Sequence, residues 1–151
     1  MAGVRRAAPV ILHVIAPLVA GAAIYLLLRA PTLLVFGWVD AAGGEAALRA
    51  ARGHTLAYAR ALGDTALFSA PDALWVYALT AAMLLVWRGQ PGRARHAWIV
   101  SGVLLGAGSE LGQLAGVVPG TFDGRDLLVS VGAFALALLL TPTRPTIKRT
   151  R

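Results

Sequence analysis

SELGQLAGVVPGTFDGRD, residues 109–126, is the stretch on which the reading of this chain turns. Two apolar segments, 97–118 and 124–141, meet in it through a short turn rich in glycine. At their junction stand Glu110, Gln113, Asp123 and Asp126, with Arg125 between the last two and Ser130 one helical turn further on. Asp123 and Asp126 have ordinary jobs available, since Asp123 can cap the following helix and Asp126 can sit three positions later. Gly120 and Gly124 then make the turn. Glu110 has no such job. It lies within an apolar helix, about eight residues from the predicted end at Val118, so roughly 12 Å deep at 1.5 Å per residue. A carboxyl group held there costs about 2.5 kcal/mol or more, and an intramembrane acid is by default a functional residue. A structural partner for it would be Gln113 or Ser130.

The 97–118 segment has two distinct faces. Gly102, Gly106, Glu110 and Gln113 follow the spacing of one helical side. Gly108, Gly112 and Gly116 form a second row at small-xxx-small spacing, which predicts close packing of a neighbouring helix.

Moving outward, 68–87 is a further apolar segment that opens on Ser69-Ala70-Pro71-Asp72. That is a capping-box pattern with proline in the first turn, and it accounts for Asp72 as a helix starter. Trp75 and Tyr77 then mark one interface and Trp87 the other. Residues 88–95 form a basic loop. Near the start of the chain, residues 10–28 are almost continuously apolar between Arg5-Arg6 and Arg29. This run is longer than the ~7–15 residues of a signal-peptide core, so it reads as a transmembrane helix. Pro17 is expected to kink it, and His13 to be hydrogen-bonded inside the bundle. Pro31 to Val39 is apolar but too short to span a ~30 Å core, and reads as interfacial. Glu45 to Leu62 is alanine-rich and helix-favouring. Arg49, Arg52, Leu56 and Arg60 share about a third of its circumference, which predicts a solvated basic face or one that holds anionic headgroups.

At 151 residues the chain is one domain, 1–151, with no internal repeat. It is 58% hydrophobic and 14% charged, too apolar for a soluble domain of this size. The net charge of +7 does not point to nucleic acid, because the arginines flank apolar blocks instead of forming one patch interleaved with aromatics. With no cysteine there is no disulfide, thiolate metal site or thiol nucleophile. Alanine, glycine and arginine dominate and Lys148 is the single lysine, a bias of GC-rich, bacterial coding.

Four spans put Arg5, Arg6, Arg88, Arg93, Arg95, Arg144, Lys148, Arg149 and Arg151 on one side. The other side mixes Arg29, Arg49, Arg52, Arg60 and Arg125 with Asp40, Glu45, Asp64, Asp72, Asp123 and Asp126. The positive-inside rule then predicts cytoplasmic termini in a bacterial inner membrane. Asp72, Glu110, Gln113, Asp123 and Asp126 converge at the outer face. Carboxylates gathered there suit general acid–base catalysis, with Glu110 and Asp126 as the catalytic pair. They equally suit a divalent cation on oxygen ligands, although no metal-ligand spacing and no cofactor motif is present. They also suit a lipid headgroup, with the 45–62 arginines supplying positive charge.

Glu110-x-x-Gln113, a short loop, then Asp126 and a polar Ser130 resembles the VanZ-like family of small bacterial membrane proteins. In that family an acid and a glutamine share one helix, and Asp and Asn open the next. Pro71-Asp72-Ala73-Leu74-Trp75 and Gly120-Thr121-Phe122-Asp123 look like an uncharacterised branch of it. The resemblance covers about residues 66–140. Ser130 stands where the family usually has Asn, and Arg125 lies closer to Asp126 than the arginine often found early in the turn. Some members of the family are linked to glycopeptide (teicoplanin) resistance.

The expected architecture is an all-α polytopic membrane bundle of four transmembrane helices, about 10–28, 68–87, 97–118 and 124–141, with a short extracytoplasmic surface helix. Glu110 and Asp126 would form the reactive centre, with Gln113, Asp123, Asp72, Ser130 and Arg125 binding a ligand. Membrane lipids are the expected partners. The competing reading is a scaffold or accessory subunit whose glycine faces bind partner helices or a second copy.

Overall fold

A computed structural model describes residues 7–29 and 34–143. Arg5, Arg6, Pro31 and the basic residues from Arg144 onward lie outside the described residues, as do the side chains of Leu56, Arg60 and Asp64. Among the described residues all regular structure is helical. The helices are α1 (Ala7–Leu28), α2 (Leu34–Ala41), α3 (Glu45–Asp64), α4 (Thr65–Val86), α5 (Arg93–Leu114) and α6 (Gly124–Leu140).

Two of them, α1 and α4, are long and apolar enough to cross a membrane, with mean hydropathies of 2.3 and 1.4. Each contains one widened π turn, Ile11–Ile15 in α1 and Thr65–Ser69 in α4. The two turns stop at the same distance before a proline, Pro17 and Pro71. Proline lacks the N–H of the i→i−4 bond and its ring collides with the carbonyl one turn back. A wider turn removes that collision, so both helices run on through their prolines.

The capping-box expectation at Ser69 fails. Ser69 is helical, its side chain makes no cap bond, and α4 already begins at Thr65. The chain arrives there helical, because only Gly63 (φ 73°, ψ 164°) interrupts the path from α3 into α4. Ser69 therefore has no unsatisfied helix start to cap, and Asp72 is released from that role.

α4 is the centre of the bundle and packs against α1, α5 and α6. Its Ala78 and Ala81 are completely buried, and Thr80 turns its hydroxyl back to the Val76 carbonyl at 2.8 Å. Gly102 and Gly106 bring α5 onto this surface. A methyl group on Gly106 would stand 2.7 Å from Val76 Cγ2 and 3.2 Å from Ser130 Oγ, while one on Gly102 would strike Thr80. The row Gly108, Gly112, Gly116 receives no other helix of this chain among the described residues. Gly108 has open space around it, and Gly112 touches Val118 of its own chain turn. Gly116 takes φ +70° and ends the helix. The Val117 N–H returns to the Gly112 carbonyl at 2.8 Å and the Gly116 N–H to the Gln113 carbonyl at 3.0 Å, which is a Schellman ending. α5 thus stops at Leu114, short of the expected 118. Glu110 lies four residues from its end, roughly 6 Å along the axis.

The outward surface of the bundle is apolar. Leu12 is 65% exposed, Leu105 67% and Leu139 79%, on three different helices. The expected solvated basic face of α3 is only partly that. Arg49 pairs with Glu45 in the open, but Arg52 reaches the end of α1 and donates to the carbonyls of Leu26 (2.6 Å) and Arg29 (2.8 Å). Thr55 adds a bond to the Leu27 carbonyl at 3.1 Å. These are carbonyls that a helix end leaves without partners, so α3 caps α1 from the side.

Candidate functional site

Each polar residue of interest is set by the helix that carries it. Asp72 lies about two turns into α4, Glu110 and Gln113 in the last turns of α5, and Asp126 in the first turn of α6. α1 and α5 end where α4 and α6 begin, so these groups meet at one end of the bundle.

They surround one cavity of about 530 Å³. On α4 its wall is Asp72, Trp75, Val76, Ala78, Leu79 and Ala82, and on α5 it is Gly102, Leu105, Gly106, Ser109, Glu110 and Gln113. Both sets follow helical i, i+3, i+4, i+7 spacing. α6 adds Asp126 and Ser130, and α1 adds Val14 and Leu18. The ten steps from Asp72 to Ala82 make the cavity about 15 Å long on α4. It is amphipathic along that length, with the carboxyls at one end and Leu79, Ala82 and Val14 at the other. No lysine, arginine or histidine is among its lining residues.

The expected site residues separate into two groups. Glu110, Gln113, Asp126, Asp72 and Ser130 all line the cavity. Asp123 and Arg125 are exposed and do not. Asp123 caps α6 instead, its Oδ1 accepting from the Arg125 N–H at 2.8 Å. Glu110 is bonded to neither Gln113 nor Ser130. Its Oε2 accepts from the Asp123 backbone N–H at 3.0 Å. Gln113 lies over the turn, where a methyl on Gly120 (φ +137°) would be 2.7 Å from its amide nitrogen.

Asp126 is the least satisfied member. Its Oδ1 is buried and has no hydrogen-bond partner. A buried acceptor of this kind asks for a donor. Asp72 is held from outside the cavity, accepting from the Tyr25 hydroxyl at 3.2 Å, and it is within electrostatic reach of Arg29, Asp126 and Glu110. Among the described residues no group of three or more histidines and acids is disposed to hold a metal ion.

Sequence reasoning missed the Tyr25 side of the site. Tyr25 stacks on Trp75 with ring centroids 5.4 Å apart, and the Arg29 guanidinium lies 4.4 Å over its other neighbourhood, at the ring centroid. Gly21 makes room for the Trp75 indole, since a methyl there would be 2.7 Å from its ring nitrogen. One signal was present: a lone tyrosine in an aliphatic stretch needs a partner for its hydroxyl. At the far end of α1, His13 Nδ1 and the Tyr77 hydroxyl are 2.6 Å apart, which meets the expectation of a hydrogen-bonded histidine.

No family model, no curated protein and no solved structure matches this chain.

Proposed function

We propose that this is a multi-pass protein of the bacterial cytoplasmic membrane that binds or processes an envelope lipid or lipid-linked precursor in a cavity at the outer leaflet. The carrying observation is the cavity itself: about 530 Å³, polar at one end and apolar along its length, lined from four helices. A lipid offers a polar head and an apolar chain in that order.

In this reading α1, α4, α5 and α6 are the four spans. α6 has 17 residues, at the short end of what spans a bilayer. α1 buries only Pro17 and Gly21, which suits a helix facing lipid better than the core helix of a soluble protein. Its contacts with α4 through His13–Tyr77, Tyr25–Asp72 and Gly21–Trp75 suit a permanent span better than a cleaved leader. The arginine distribution favours cytoplasmic termini. The VanZ-like reading of Glu110, Gln113, Asp126 and Ser130 gains support from their sharing one cavity wall.

The alternative is a non-enzymatic scaffold. The bonds from Glu110 to Asp123 and from Asp123 to Arg125 favour it, because they give two of the acids structural work. The test is a strain that depends on the protein. Glu110→Gln and Asp126→Asn, expressed at normal level, are expected to alter the envelope lipid profile or glycopeptide sensitivity. An unaltered profile and sensitivity in both assigns the protein to the scaffold reading. Reporter fusions at Gln90 are expected to be cytoplasmic and at Thr121 external.

A further inference from the structure

The charges around the cavity narrow the class of headgroup. An anionic head would need cations inside, and none is among the lining residues. Arg52 is held on the carbonyls of Leu26 and Arg29, Arg49 pairs with Glu45, and Arg125 is exposed away from the lining. The polar end presents Asp72, Glu110 and Asp126. Two of these have an outside donor, Tyr25 for Asp72 and the Asp123 N–H for Glu110. Asp126 Oδ1 has none and is buried.

We infer that the occupant is a phospholipid whose headgroup ends in a primary ammonium, seated with its N–H donors among the carboxyls of Asp72, Glu110 and Asp126 that line the polar end. The inference rests on the reading of the cavity as a lipid site. Lining carboxylates, which only accept, favour a primary ammonium over a quaternary one, because only the former has N–H groups to give. The bond is charge-assisted and lies in a region sheltered from water, where such bonds are strongest. Arg29, stacked on Tyr25 and within electrostatic reach of Asp72, gives the lipid phosphate a cationic neighbour at the same end. The apolar stretch from Trp75 to Ala82 receives the start of an acyl chain.

The test uses the full-length protein in phosphatidylcholine nanodiscs doped with phosphatidylethanolamine or phosphatidylglycerol of matched chains. Lipids that stay bound after transfer to detergent are counted by native mass spectrometry. Phosphatidylethanolamine is expected to be retained about tenfold over phosphatidylcholine, the worth of one hydrogen bond to a charged group, and over phosphatidylglycerol. Asp126→Asn is expected to erase the preference, with Glu110→Gln as the second variant should the first fail to fold. Leu79→Trp, which fills the apolar end, is expected to lower retention of every lipid. Retention that Leu79→Trp lowers, but with phosphatidylglycerol or phosphatidylcholine held as well as phosphatidylethanolamine, overturns the ammonium inference and leaves the lipid cavity standing. Retention indifferent to Leu79→Trp overturns both.

Discussion

The backbone N–H of Asp123 donates to Oε2 of Glu110 at 3.0 Å, so the start of α6 is held by the last turns of α5. In a capping box, the acid three positions into a helix reaches back to the N–H of its own cap residue. Here that acid is Asp126, and its place is taken by Glu110 from another helix. Asp123 still supplies the forward half of the cap, to Arg125. The exchange leaves Asp126 free of the cap: it is among the residues that line the cavity, and its buried Oδ1 has no partner.

If Glu110 holds the Asp123 amide, Glu110→Gln keeps an acceptor in place and Glu110→Ala removes it. Hydrogen exchange of residues 119–124 is expected to stay near wild type in the first and to rise about fivefold to tenfold in the second, for roughly 1 kcal/mol of lost protection. Equal exchange in both variants means that the carboxyl does not carry the cap.

The two glycine rows of α5 should respond oppositely to a single methyl group. Gly106→Ala pushes against Val76 and Ser130 and is expected to destabilise the protein by about 1–3 kcal/mol. Gly108→Ala meets open space and gains helix propensity, so it is expected to be neutral or stabilising by up to about 1 kcal/mol. Thermal unfolding in detergent reads both.

Removing the Tyr25 hydroxyl tests the tie between α1 and α4. Tyr25→Phe is expected to cost about 0.5–1.5 kcal/mol, and a double-mutant cycle with Asp72→Asn to show positive coupling. Additive single effects would mean that the 3.2 Å contact carries no energy.

Arg52 is expected to be the residue that seats α3. Arg52→Ala leaves the Leu26 and Arg29 carbonyls without their donor and removes the cation from its position 5.0 Å over Phe36. Amide exchange across 45–62 should rise while α4 to α6 stay unchanged, because α3 would detach locally. Lys at the same position recovers less than half of the effect, since one ammonium cannot reproduce a two-pronged guanidinium.

Much of the site was legible because helical periodicity is local. The spacing of Gly102, Gly106, Glu110 and Gln113 describes one wall of the cavity, and Asp123 reads as a cap from its neighbours alone. The errors arose where a local pattern met a tertiary condition. Val117 and Val118 prolong the apolar run, so hydropathy extends α5 past its true end. The stop is a left-handed Gly116, which the small-xxx-small row disguised as a packing residue. Ser69 to Asp72 is a sound capping box only for a chain that enters extended, and here it enters from a helix. Tyr25 and Asp72 are 47 residues apart, a pairing that no local spacing can display.

The cavity draws its walls from α1 on one side and α5 on the other, and both helices pack against α4. Its polar end is closed off toward the α5–α6 turn by Glu110 bonded to Asp123 and by Gln113 lying over Gly120. In the four-span arrangement proposed above, the seam between α1 and α5 would face hydrocarbon, with the exposed Leu18 and Leu105 on its two sides. An occupant would slip in sideways from the surrounding lipid without passing through water. Occupancy would then follow the mole fraction of that molecule in the membrane, and its concentration in solution would be irrelevant.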